Sequence, residues 1–148
     1  MVIYPDTSFI LPLYTPEPFT ENALQFLART EQALAFTPFH RLEFRTAMRT
    51  RVFRQRMPRE ELREAFRQCE HHLKNGVFQH TPLHWADTLR EAERIAEAHL
   101  TEIGARSGDL LHVASAVVLG ARDFVTFDER QTELARRAGL KVRGIRRA

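Results

Sequence analysis

The ten residues from Leu110 to Leu119 (Leu-Leu-His-Val-Ala-Ser-Ala-Val-Val-Leu) are apolar nearly all the way round a helix. A helix without a polar face must be covered on every side, and a sheet supplies such a cover. Ser107-Gly108-Asp109 reads as its capping sequence and Gly120 as its end. An apolar strand, Phe124–Phe127, follows and ends at Asp128. A helix over Glu129–Ala138 stopped by Gly139, then a strand over Lys141–Ile145, complete the last third.

The same alternation runs through the rest of the chain. Val2–Tyr4, Ala33–Phe36 and Val77–His80 read as strands. Thr7 or Ser8 is placed to cap a short helix through Tyr14, which Pro12 should shorten or distort. Glu21–Thr30, Phe39–Gln55, a segment opened by Pro58 and ended at Asn75-Gly76, and Pro82–His99 read as further helices. Trp85, Leu89, Ala92 and Ala96 form the expected inward side of the last, and Trp85 with most of the 11 Phe is expected in the core. Strands alternating with helices predict an α/β fold with a mainly parallel sheet of four or five strands. No linker, repeat or low-complexity stretch divides the 148 residues, so residues 1–148 read as one domain.

Composition removes several classes. No apolar run is long enough to span a bilayer, and the acid at position 6 does not suit a secretory leader. The lone Cys69 makes no internal disulfide and no thiolate metal cage. A cytoplasmic location is the expectation. The net charge of +3 rests on 20 Arg and only two Lys, with eight Arg between Arg45 and Arg67. Arginine forks suit phosphate oxygens, but Glu60, Glu61, Glu64 and Glu70 interleave them, so a solvated helical face is the preferred account of the run taken alone.

Four acids stand where chemistry is expected. Asp6 follows the first strand and Asp128 the fourth, at the ends where open parallel sheets bind ligands. Asp109 opens the most apolar helix, where it also suits the helix dipole. Glu43 sits between apolar neighbours, with Thr46 and Ala47 rather than a basic residue one turn on. Carboxylates drawn together bind protons or cations to relieve their repulsion. An all-oxygen set suits Mg²⁺ or Mn²⁺, whose retained waters can attack a phosphodiester.

Several other features read as structural. His40 and His112 are expected to be satisfied fold residues, with a place at the site edge as the alternative. His71 and His72 read as exposed, and Pro82 separates His80 from His84 as a metal pair. Gly104–Gly108 lacks the Gly-Lys-Ser/Thr ending of a phosphate-cradling loop. An aspartyl-phosphatase mechanism would want an acid where Ser8 stands and a lysine that neither Lys74 nor Lys141 provides.

Four short motifs then carry a resemblance across essentially the whole chain. They are Asp6-Thr7-Ser8 after a strand, Glu43 in the helix after Phe36-Thr37-Pro38, Arg106 to Ala114, and Val125-Thr126-Phe127-Asp128. In this order they resemble the PIN-domain family, and within it the VapC toxins of toxin–antitoxin pairs. The resemblance implies a three-layer α/β/α sandwich and an Mg²⁺- or Mn²⁺-dependent endoribonuclease leaving 5′-phosphate and 3′-hydroxyl ends. It implies Asp6, Glu43, Asp109 and Asp128 as catalytic metal-binding acids, with Ser8 and Thr126 as supporting hydroxyls. It also implies a homodimer and an antitoxin partner that blocks the acidic pocket. Arg45, Arg49 and Arg106 are then placed to contact RNA. Some relatives carry a further acid after the last motif, which leaves open whether Glu129 serves a second metal. The competing readings are a non-catalytic PIN-like module binding RNA or protein, and an RNA-processing nuclease without an antitoxin.

Overall fold

The computed structural model describes residues 2–144. Five strands, β1 (Ile3–Pro5), β2 (Leu34–Phe36), β3 (Phe78–His80), β4 (Asp123–Thr126) and β5 (Lys141–Gly144), form one sheet in the order β3-β2-β1-β4-β5. Every pairing is parallel. The expected end of the last strand, Ile145, lies outside the described residues.

Alternation along the short strands sorts side chains into two cores, which makes the three layers. Ile3, Leu34, Phe36, Phe78 and Val125 face one way, against α1 (Thr7–Tyr14), α2 (Thr20–Arg29), α3 (Pro38–Phe53) and α4 (Arg59–Lys74). Tyr4, Ala35 and Phe124 face the other way, against α5 (Trp85–His99), α6 (Ser107–Val118) and α7 (Glu129–Arg137). The fold is therefore an α/β/α sandwich. Phe9, Phe36, Phe44, Phe78 and Phe124 are almost wholly buried; truncating one to alanine costs roughly 3–5 kcal/mol in such a setting. Among the described residues no helix is long and apolar enough to cross a membrane.

The apolar helix of the sequence reading is α6, buried from His112 to Ala116. Gly120, at φ +68°, turns the chain toward β4 in a conformation that L side chains resist.

Several local expectations need correction. The cap of α1 is Asp6, which accepts from the Phe9 N–H, and not Thr7 or Ser8. Both hydroxyls are drawn off by tertiary partners. Pro12 sits inside the eight-residue α1 and is buried there. Asp109 caps no backbone amide; the N-cap of α6 is Arg106 without a side-chain bond. The helix expected from Pro82 starts at Trp85, and its inward side is Thr88, Ala92 and Ile95. Trp85 and Leu89 are 43% and 51% exposed, so the stripe chosen from the sequence was rotated off the true one. His72 is half-buried, with Nδ1 2.5 Å from the Tyr14 hydroxyl.

Candidate active site

The strand order places β1 between β2 on one side and β4 on the other. The chain runs outward from β1 through β2 to β3 on one side and crosses from β3 to β4 on the other, so a crevice opens beyond the carboxyl ends of β1 and β4. The residues that leave those two strands build one bonded cluster there. Asp6 is 3% exposed and its N–H donates to the Val125 carbonyl at 3.0 Å. Its two carboxylate oxygens are each held by a hydroxyl: Ser8 donates to Oδ1 at 2.6 Å and Thr126 to Oδ2 at 2.6 Å. Ser8 and Thr126 also lie 3.1 Å apart. Thr126 accepts the Asp128 N–H at 3.0 Å, which sets the course of the chain into α7. Asp128 then caps α7 by accepting from the Gln131 N–H at 3.0 Å.

Burial is the largest influence on Asp6 and raises its pKa to about 6, against the pull of Ser8 and Thr126. A carboxyl in that condition gains from a nearby cation.

Glu43 approaches from α3. Thr7 donates to its Oε1 at 2.5 Å, and the same oxygen is hydrogen-bonded to His112 Nε2. Burial pushes the Glu43 carboxyl up, but His112, Thr7 and Arg106 together outweigh it and hold the pKa below the usual value. His112 Nδ1 lies 2.7 Å from the Tyr4 hydroxyl, and Nε2 lies 3.0 Å from Thr7. The structure thus brings His112 into the cluster, where the sequence favoured a purely structural role. His40 is different. Its Nε2 donates to the Pro5 carbonyl at 2.6 Å while Nδ1 accepts from the Thr37 N–H at 2.9 Å, so it is neutral and locked. Burial first, and His112 second, hold its pKa well below the ordinary histidine value.

Asp109 and Asp128 line a cavity of about 410 Å³ with Gly104, Ala105, Arg106, Arg130 and Gln131. Glu43 closes on the same helix end: a Cβ at Gly108 would lie 3.0 Å from Glu43 Oε2. A side chain there would press on the carboxylate, which glycine leaves undisturbed. Glu129 heads α7 and is exposed.

The arginines divide. Arg106 is 93% exposed at the site and 3.8 Å from Asp109. Arg45 bonds Glu70 at 3.1 Å and lies over the Phe66 ring at 4.5 Å, and Arg49 lies over the same ring at 5.1 Å. These two face α4, away from the four acids' hydrogen-bonded cluster.

The donor chemistry fits a hard divalent cation, for every acid offers oxygen and Gly108 keeps the approach clear. Among the described residues no three His, Cys, Asp or Glu side chains are gathered closely enough to hold a metal as they stand. Mg²⁺ tolerates this, since it binds through one or two carboxylates and keeps waters.

The family model of the PIN domain matches residues 3–137. This chain belongs to the PIN domain family. Among solved structures, it is similar to a chain of the crystal structure of VapBC2 from Rickettsia felis bound to a DNA fragment from their promoter. That likeness has a TM-score of 0.67 at 16% identity and covers 97% of this chain and 98% of the other. At such identity it speaks for the fold of this PIN domain. No curated protein matches the sequence.

Proposed function

We propose that this PIN domain is a divalent-metal-dependent endoribonuclease and the toxin of a toxin–antitoxin pair. The observation that carries the nuclease reading is the doubly held carboxylate of Asp6. A buried acid with an elevated pKa, fixed on both oxygens at the switch point of a parallel sheet, is shaped to receive a cation. Asp6, Glu43, Asp109 and Asp128 are the residues that would hold it, Mg²⁺ or Mn²⁺. When bound, the ion lowers the pKa of water and offsets charge developing on a phosphodiester.

The chain's own residues have distinct tasks in this reading. Ser8 and Thr126 orient Asp6 and leave it no freedom to rotate. His112 and Thr7 keep Glu43 ionised and aimed. Arg106 is free to meet RNA phosphate. Water adds to phosphorus and the P–O3′ bond breaks, leaving a 5′-phosphate and a 3′-hydroxyl. The fold-level likeness to a VapBC2 chain supports an antitoxin as partner; a homodimer in the cytoplasm completes the proposal.

A non-catalytic binding module is the second reading, favoured by the lack of a gathered metal cage among the described residues. Incubating total RNA with purified protein tests both, with Mn²⁺ or Mg²⁺ against EDTA and Asp6→Asn alongside. Discrete fragments that need metal and Asp6 support the nuclease. Intact RNA, with no thermal stabilisation by either metal, leaves the binding module.

A further inference from the structure

Gln131 is a polar side chain in a place where packing does not call for one. It lies in the first turn of α7 and is only 3% exposed. Its backbone N–H donates to Asp128 Oδ1 at 3.0 Å. Its side-chain Nε2 donates to the main-chain carbonyl of Asp109 at 2.9 Å. One residue is therefore bonded to the carboxylate of one acid and to the backbone of another. All three line the same cavity. The remaining amide oxygen, Oε1, is buried without a partner.

A methionine or leucine would fill that space without stranding an acceptor. The amide therefore makes sense through what its donor holds. Asp109 has only a loose pairing with Arg106 at 3.8 Å, and Asp128 is exposed apart from its capping bond. Neither acid fixes the other. The Gln131 bond ties the first turn of α6 to the first turn of α7, and with it the spacing of the two carboxylates.

We propose that Gln131 is a positioning residue for divalent-metal binding, tying the Asp109 backbone to the Asp128 carboxylate so that both acids would be held in place for a cation. The inference rests on the nuclease reading above and concerns a residue that touches neither phosphate nor, directly, the metal.

Mn²⁺ binding to the purified full chain without RNA is the first readout, comparing wild type with Gln131→Met and Gln131→Leu. Loss of an outer-shell bond typically weakens metal affinity about 10–100-fold. Folded variants are expected to show a loss of that size. In cleavage, the Mn²⁺ needed for half-maximal rate rises by the same factor, KM for RNA stays put, and excess Mn²⁺ restores the rate. A variant whose melting temperature falls while its Mn²⁺ affinity matches wild type overturns the proposal. If neither variant folds, the wild-type Gln131 side-chain amide decides by NMR. Protection from exchange and a shift on adding Mg²⁺ support the clamp; fast exchange and no shift overturn it. Wild-type protein that neither binds Mn²⁺ nor cuts RNA sinks the nuclease reading itself. Wild type that does both, beside variants that equal it, sinks only the role of Gln131.

Discussion

His112 Nε2 is hydrogen-bonded to Glu43 Oε1 across the end of β1, joining α6 on one face of the sheet to α3 on the other. The Glu43 pKa is held low, so this contact contributes stability above the unfolded-state value that is lost as pH falls through the folded one. His112→Phe removes it and leaves burial pushing the carboxyl up. The expected cost at pH 7 is on the order of 1–3 kcal/mol, with part of the Tyr4 hydroxyl's bonding also lost. Urea unfolding and a ¹³C carboxyl titration of Glu43 measure both effects; an unmoved titration would dismiss the pairing.

Asp6 titrates in the opposite sense. Its folded pKa of about 6 exceeds the unfolded value, so ionised Asp6 burdens the metal-free fold. The burden is absent below about pH 4, grows as pH rises to 6, and is complete above that. Asp6→Asn in EDTA should therefore gain on wild type between pH 4 and pH 7.5, by on the order of 2–3 kcal/mol. Equal melting curves at both pH values would contradict the assignment.

Gly108→Ala separates stability from function. Alanine in place of glycine favours a helix by up to about 1 kcal/mol, and Gly108 lies in the first turn of α6. The added Cβ would meet Glu43 Oε2 at 3.0 Å, so the carboxylate must give by a few tenths of an ångström. The variant is expected to melt no lower than wild type while metal-dependent cleavage drops at least about tenfold. A fully active variant would show that Glu43 has no need of that position.

Thr126→Val keeps the shape of a buried strand residue and deletes one hydroxyl. Asp6 Oδ2 loses its donor and the Asp128 N–H loses its acceptor. Destabilisation of about 1–3 kcal/mol is expected from the unmet buried groups, together with an Asp6 carboxyl that titrates still higher. Calorimetry at pH 7 gives the first quantity; carboxyl NMR gives the second.

Arg106→Ala and Arg45→Ala should part company. The first removes the exposed guanidinium beside Asp109 and should raise KM for RNA, with a shallower salt dependence. The second removes a side chain already occupied by Glu70 and Phe66, and KM should hold. Binding to an Asp6→Asn background at two salt concentrations compares them without cleavage.

The layers were legible because strands and helices announce themselves by period, and the fully apolar α6 demanded a covered position. Boundaries moved where a tertiary partner took a side chain. Ser8 and Thr7 read as caps from the sequence, yet Thr7 serves Glu43 of α3, and Ser8 holds the capping acid Asp6 and meets Thr126 of β4. Trp85 and Leu89 share helical spacing with Ala92, but the buried side of α5 runs through Thr88 and Ile95. Asp6 and Asp128 could be picked out from their positions after strands, and Asp109 and Glu43 from their apolar helical surroundings. What holds them could not, because Thr126 meets Asp6 over a separation of 120 residues and His112 meets Glu43 over 69. Gln131 gave no signal at all: a glutamine in a polar helix reads as solvent-facing.

The central place of β1 has a consequence for synthesis. Its neighbour β2 is made within the first 36 residues, but β4 is not made before residue 123. A nascent or prematurely released chain can therefore carry Asp6, Glu43 and Asp109 while lacking the strand that brings Thr126 to Asp6. Such long-range closure comes late in folding. The bonded cluster around Asp6 therefore cannot assemble until residue 126 has been made.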